Sequence, residues 1–443
     1  MPIHVSHLTV GENRGAARLW LQGPRLLDAG FTPGSKLRST THDDCIVLVS
    51  EEAGDRTVSS KDQGKTPVID ICGRAVSDVF PVGTRIEVSY FPGRIVIRLN
   101  PREGAVARRV SRLKEKIRKG AALATAALCL GAGILDAALA EGLGPTEMVY
   151  AVEREAAYLD QAVRHHDIGT TVHADLSEVD FERLPTCDVL VAGIPCTAAS
   201  RSGRAKQRSL DPTLTHPEGH PEGALFVDFL RAVISSEPAI VVLENVPVYR
   251  HSAGYAAIRA VLHKLQYTVT DAILNAADWG CNEARERLVM VGAPFPVPLD
   301  DLAPHRPARP LADLLDPAAD NWRPHGRLVE RTAQKGAEGC GFKLQLVTAG
   351  DTRVGTIGRG YAKDRMTEPH LVHPQDPSLS RLFTVAEHAR IKGVPERLVE
   401  GLGFTIGHEV LGQAIAYPPF VSVGRRIIEA ARAWALAEGR VAA

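Results

Sequence analysis

Asp188-Val-Leu-Val-Ala-Gly-Ile-Pro-Cys196 decides how this chain is read. Asp188–Ala192 is a short apolar run bounded by turn residues, the signature of a strand buried in a parallel sheet. It runs into Gly193-Ile-Pro195-Cys196, which leaves a cysteine just past the strand's carboxyl end, where open α/β sheets bind ligands. Pro195 fixes φ and removes a backbone donor, so the cysteine follows a stiffened link. A lone cysteine is more often a small buried hydrophobe than a nucleophile. Its neighbours along the chain must decide.

From about residue 121 strands and helices alternate. Apolar strand candidates are Ala126–Leu130, Met148–Val152, Val189–Ala192, Ala239–Leu243, Tyr267–Leu274 and Leu288–Val291. Helical patterns lie at Ile134–Glu141, Arg154–Arg164 and Leu225–Ser235, and return at Thr384–Lys392 and Ser422–Glu438. This rhythm predicts a doubly wound, mostly parallel α/β sheet over 121–297, with 379–443 returning to it. Residues 298–378 lose the rhythm, being rich in Pro, Gly, His and charge, and read as an irregular insertion.

The first 100 residues differ. Leu21-Gln-Gly23, Phe31-Thr-Pro-Gly34-Ser-Lys36-Leu37 and Cys45–Val49 recur as Ile71-Cys-Gly73, Phe80-Pro-Val-Gly83-Thr-Arg85-Ile86 and Arg94–Ile97. Each copy reads as strand, short helical turn, glycine turn and hairpin, and the two pair into one small all-β barrel because neither buries a core alone. The pattern resembles swapped-hairpin domains of the AbrB and SymE kind, which implies nucleic-acid binding; a docking or dimerisation module fits equally. Between the two regions, 101–120 carries eight cations (Arg102, Arg108, Arg109, Arg112, Lys114, Lys116, Arg118, Lys119) against Glu103 and Glu115. Such a run is a solvated helical linker by default, but here Arg108, Arg109 and Arg112 are candidates for phosphate contacts.

Composition narrows the class. With 443 residues and a formal net charge of +0, the chain holds two or three domains and exerts no global pull on nucleic acid or membrane. No apolar run reaches the roughly 18 residues of a membrane span, and no secretory signal is visible at Met1-Pro-Ile-His-Val. Seven cysteines without a Cys-x-x-Cys pair argue against a disulfide framework or a zinc ribbon. The expectation is a cytoplasmic protein without a metal centre.

Other residues gather at predicted strand ends. Gly131-Ala132-Gly133 follows the first strand, where glycines let a nucleotide-like ligand approach the backbone. Glu153 ends the next strand, placed to accept ribose hydroxyls. Asp175 follows a third short segment and suits an adenine amino group. Glu244-Asn-Val246 ends the strand after the cysteine strand, and Arg285-Glu-Arg287 enters a later one. Buried guanidinium groups need partners, and Glu283 or Glu286 would serve in a purely structural pair.

Taken in order, Gly131-Ala-Gly133, Glu153, Asp175, Pro195-Cys196, Glu244-Asn-Val246, Arg285-x-Arg287, Leu382–Arg390 and Gly412-Gln-Ala-Ile415 resemble the cytosine-5 DNA methyltransferases over about residues 124–436. The resemblance implies a Rossmann-like methyltransferase fold, S-adenosylmethionine as cofactor and double-stranded DNA as partner. It implies that Cys196 adds to carbon 6 of a flipped-out cytosine, that Glu244 protonates ring nitrogen 3, and that Arg287, with Arg285 beside it, holds the ring carbonyl. Gly131, Ala132, Gly133, Glu153, Asp175, Pro195 and Gln413 would form the cofactor pocket. Thr197, Ser200 and Ser202 would touch the opened DNA, and 298–378 would read the target sequence.

The chemistry needs these residue types. Carbon 5 of cytosine is a poor nucleophile until a thiolate adds at carbon 6. The resulting charge on the ring calls for an acid and a guanidinium in a dry site. Some positions depart from the family pattern: Thr197-Ala-Ala-Ser200 where Gln-x-Phe-Ser is usual, Cys129 for an aromatic, Ile134 for glycine, Glu283 for glutamine and Gln413 for asparagine. Two other readings fit the same residues: the same reaction on RNA, and a catalytically weak DNA-binding regulator.

Overall fold

In a computed structural model of the chain the strand read from Asp188–Ala192 is Val189–Gly193, at the centre of a seven-stranded sheet. The structure describes residues 1–195, 221–337, 344–365 and 367–437. They form two compact units, Met1–Arg108 and Arg109–Ala443.

The sheet of the second unit contains β1 (Leu123–Leu128), β2 (Thr146–Glu153), β3 (Ile168–His173), β4 (Val189–Gly193), β5 (Ile240–Asn245), β6 (Thr268–Asn275) and β7 (Glu286–Ala293). Its order is β3-β2-β1-β4-β5-β7-β6. The first five strands in that order are parallel, and β7 runs antiparallel to both β5 and β6. Alternation explains the unbroken apolar runs: Val189 and Val191 join the core on one face, Leu190 and Ala192 the core on the other. The strand missed by sequence, β3, lies at the sheet edge. Its Gly169-Thr-Thr171 stretch is exposed and leaves no apolar signal.

On one face the helix Ile134–Leu143 packs against Tyr417–Ala437. The approach needs glycine on both sides: a Cβ on Gly142 would lie 2.2 Å from the Val421 carbonyl oxygen, and one on Gly424 2.5 Å from that of Leu139. The second helix starts five residues earlier than the sequence suggested, because Pro418 and Pro419 fall in its first turn, where no intrahelical donor is required.

Residues 298–378, expected to be irregular, carry a core of their own. Strands Arg323–Pro324, Gln345–Val347 and Pro369–Val372 join Leu379–Arg381 in a four-stranded sheet. Leu311, Leu314, Val354, Ile357, Tyr361 and Leu371 pack there against Leu382, Phe383 and Ile391. Strands of two to four residues are too short to show a period. Asn282 ties this region to the main sheet, its Nδ2 donating to the carbonyls of Arg309 (2.6 Å) and Thr352 (2.8 Å).

In the first unit the repeat is structural. Ala16–Gln22, Pro24–Asp28, Lys36–Thr41 and Cys45–Ser50 recur as Thr66–Cys72, Arg74–Ser77, Arg85–Phe91 and Arg94–Leu99. Equivalent strands pair with each other, Trp20 opposite Asp70 and Val47 opposite Val96, so the copies face one another about an approximate two-fold. Leu26 and Val76, Phe31 and Phe80, and Leu37 and Ile86 fill matching core positions. The sequence suggested one barrel; the hydrogen bonding gives a six-stranded and a four-stranded open sheet around that core.

The basic run is also changed by its setting. It forms one helix, Pro101–Lys119, whose residues from Arg109 onward belong to the second unit. Arg109 is buried: it donates to the Leu265 carbonyl, and its guanidinium stacks 3.8 Å from the Tyr267 ring. Arg112 donates to Asp188 (2.8 Å) and to the carbonyls of Cys187 (2.6 Å) and Glu237 (2.7 Å). Lys116 reaches Asp188 at 2.7 Å, and this buried carboxylate also accepts from the Ala124 N–H at 2.8 Å. Arg109 and Arg112 are therefore anchors for the helix rather than the phosphate contacts expected of them. Asp188 and Ala124 stand where β4 and β1 begin, at the opposite end of the sheet from Gly193. Arg108 is exposed and lies in the first unit.

Candidate active site

At the carboxyl end of β1 the chain turns through Gly131-Ala132-Gly133 into the helix Ile134–Leu143. Both glycines have positive φ, 58° and 75°. A Cβ on Gly133 would lie 2.3 Å from His166 Nε2 and would displace that ring, whereas nothing lies within 4 Å of the same point on Gly131. The turn is thus packed on one side and open on the other. Cys129, where an aromatic is usual in the resembled family, also adopts positive φ (56°).

Glu153 closes this turn from β2. One carboxylate oxygen accepts the Gly131 N–H at 2.7 Å and the other the Glu155 N–H at 2.9 Å. Each oxygen keeps a lone pair for a ligand hydroxyl. Asp175 accepts from the Ser177 N–H (3.0 Å) and hydroxyl (2.6 Å), with Arg154 at 3.7 Å. The bonds from Ser177 chiefly hold its carboxyl below the usual carboxylate range, so it stays an acceptor.

Asp136 lies in the first turn of the helix after the glycines and is buried, which pushes its carboxyl up to about 7. An acid whose folded pKa is raised stabilises the fold most below its unfolded value, and that stability is lost as pH rises toward the folded one. The window runs from about pH 4 to about pH 7. Asp136→Asn is therefore expected to flatten the pH dependence of stability, by up to about 4 kcal/mol between those limits. Thermal unfolding of both proteins at pH 5 and pH 8 checks this; a parallel pH dependence would contradict it.

Glu244 and Arg287 meet across β5 and β7. The Arg287 Nε lies 2.9 Å from Glu244 Oε1, and their side chains are 14% and 13% exposed. Burial pushes the Glu244 carboxyl up, while Arg287, then Arg285 and Lys392, pull it back. The acid is thus held near a guanidinium yet biased toward keeping its proton. Gly193 is its register partner on β4, and a Cβ there would sit 3.7 Å from Glu244 Oε2. Glycine leaves that carboxyl uncovered on the β4 side. Asn245, quoted in the sequence without a role, donates to the Ile194 carbonyl at 3.2 Å and ties the link into Pro195 to β5.

Arg285 does not reach the Glu244–Arg287 pair by hydrogen bond. It is buried, donates to Glu283 at 3.1 Å, and holds the carbonyls of Gly412 (3.0 Å) and Gln413 (3.2 Å). Gln413 in turn donates from Nε2 to the Tyr158 hydroxyl at 3.0 Å. Tyr158 was not anticipated; it lies on Ala156–Ala162, just after Glu153, and its only sequence signal is an aromatic on an apolar helix face. Cys196, Thr197, Ser200 and Ser202 lie outside the described residues.

A glycine turn, a closing acid and a half-buried acid–arginine pair thus stand along one end of a doubly wound sheet. A family model, C-5 cytosine-specific DNA methylase, matches residues 123–429, and the chain belongs to that family. It is 27% identical over 290 residues to the type II methyltransferase M.SsoII of Shigella sonnei, covering 60% of this chain and 71% of that protein. With M1.ScrFI of Lactococcus lactis subsp. cremoris it shares 26% over 283 residues, covering 59% and 68%. The fold is similar to that of the S. pombe Dnmt2 methyltransferase (TM-score 0.56, 18% identity, 69% of this chain and 98% of that one). It is also similar to the Entamoeba histolytica methyltransferase EhMeth (TM-score 0.55, 17% identity, 70% and 98%).

Proposed function

We propose that this chain transfers a methyl group from S-adenosylmethionine to carbon 5 of cytosine in double-stranded DNA, through a covalent bond from Cys196 to carbon 6. The observation that carries the reading is the Glu244–Arg287 pair, in register with the strand that leads into Pro195-Cys196.

The groups at the glycine turn fit the cofactor. Gly131 offers open space, Glu153 has free lone pairs for ribose hydroxyls, and Asp175 is an ionised acceptor suited to an adenine amino group. Gln413 and Pro195 would complete the pocket. When bound, S-adenosylmethionine supplies the electrophilic methyl group.

The protein groups do the rest. Cys196 thiolate forms a bond to carbon 6, and the electron pair of the carbon 5–carbon 6 double bond moves into the ring. Glu244 gives its proton to nitrogen 3, so carbon 5 becomes an enamine carbon able to take the methyl. Arg287 holds Glu244 and faces the ring carbonyl. After transfer, loss of the carbon 5 proton to water restores the double bond and expels the thiolate, and nitrogen 3 returns its proton to Glu244. A cytosine within duplex must first be flipped out of the stack, and the small sheet of 298–378 is the segment we assign to reading its neighbours.

The first unit adds little electrostatic pull: residues 1–100 hold 12 lysines and arginines against 11 acids. Any contact it makes with DNA rests on shape and local groups. Incubation of the full chain with methyl-labelled S-adenosylmethionine and either duplex DNA or transfer RNA tests the reading. Label recovered from DNA as 5-methylcytosine is expected; label in RNA alone, or in neither polymer, would overturn it.

A further inference from the structure

Lys392 is fully buried, an unusual place for an ammonium group. Its Nζ donates to the carbonyls of Leu411 and Ala414, the latter at 2.9 Å, and lies 3.3 Å from Glu283 Oε2. Arg285 takes the two carbonyls between, those of Gly412 and Gln413, and binds the other Glu283 oxygen at 3.1 Å. Four consecutive carbonyls at the end of the helix Phe404–Gln413 are thus held by two buried cations that share one carboxylate. Glu283 is itself fixed by the Ile357 N–H at 3.0 Å.

The carbonyls at a helix end lack intrahelical donors and attract cations. Water or a single exposed lysine normally meets that need. Here the turn is also clamped from the other side, since a Cβ on Gly412 would lie 2.4 Å from the Gly358 backbone. A buried ion cluster adds little stability over a well-packed apolar one, but it fixes geometry. What this turn presents is Gln413, bonded to Tyr158 on the short helix that follows Glu153 in the chain. We infer that Lys392, with Glu283, is a positioning pair for the cofactor pocket, setting the Leu411–Ala414 turn so that Gln413 meets Tyr158. This rests on the cofactor reading above.

The test is calorimetric binding of S-adenosylmethionine to the full-length wild type, Lys392→Met, and the double variant Glu283→Gln with Lys392→Gln, well below their unfolding temperatures. Lys392→Met is expected to weaken binding by about tenfold, with the KM for cofactor rising by a similar factor and kcat falling less than about threefold. The neutral double variant keeps a hydrogen-bonding pair and is expected to recover affinity to within about threefold of wild type. If Lys392→Met lowers the unfolding temperature but binds as tightly as wild type, the cluster is structural and the inference is overturned. If Lys392→Met does not fold, the double variant decides: wild-type-like affinity supports the inference, and a tenfold loss overturns it. Absence of binding by the wild type would overturn the cofactor reading itself, and the inference with it.

Discussion

Cys196→Ala is expected to lower the single-turnover rate of methyl transfer to DNA by about four orders of magnitude or more, with cofactor affinity unchanged. Without a thiolate at carbon 6 the pyrimidine stays aromatic, and carbon 5 has no electron pair to offer. Two of the other described cysteines, Cys187 and Cys281, are buried and held as thiols. Burial pushes the Cys281 thiol up to about 12, and Cys187, at the start of β4, is raised further by burial and by Asp188. The sheet supplies the frame for Cys196: β4 ends at Gly193, Asn245 holds the Ile194 carbonyl, and Pro195 stiffens the next link. Labelled-methyl transfer at saturating DNA checks the expectation. Transfer by the alanine variant within tenfold of wild type would rule out the covalent route.

Glu244→Gln is expected to reduce kcat by roughly 10²–10⁴, the usual contribution of a positioned acid. The amide preserves shape and can still accept from Arg287, but it has no proton to give nitrogen 3. Burial raises Glu244 above the ordinary carboxylate range, so its proton-bearing form persists to higher pH than an exposed glutamate's would. Activity carried by that form falls as pH rises through the raised value, and the variant should lack this alkaline limb. Rates measured across pH on a fixed DNA substrate separate the outcomes. A variant with wild-type kcat and an unchanged profile would remove Glu244 from proton transfer.

How much of this was legible in the sequence depended on periodicity and spacing. The central strands were readable because both their faces are buried, giving apolar runs such as Val189–Ala192. The edge strand Ile168–His173 was not, since exposed positions need no apolar side chain. Glu153 and Glu244 drew notice in the sequence because each is a carboxylate at the end of an apolar strand, which is where the structure has them. Charge alone gave no sign of the partners that Arg109 and Arg112 find in the fold, since Tyr267 and Asp188 are more than 70 residues away. Long-range pairing hid Lys392 as well: nothing beside it in sequence announces that its ammonium closes a helix end and meets Glu283. The repeat of the first unit was visible by eye, while the division of its strands between two open sheets was not.

The central claim is covalent catalysis by Cys196 on cytosine in DNA, and duplex DNA carrying 5-fluorocytosine tests it most directly. Fluorine at carbon 5 cannot leave as a cation, so after methyl transfer the thiolate cannot be expelled and the adduct persists. The account predicts a denaturation-resistant protein–DNA complex that forms only with S-adenosylmethionine present, with the nucleotide mapped by mass spectrometry to the peptide containing Cys196. No complex with an otherwise methylating protein, or one mapped to another cysteine, would contradict it.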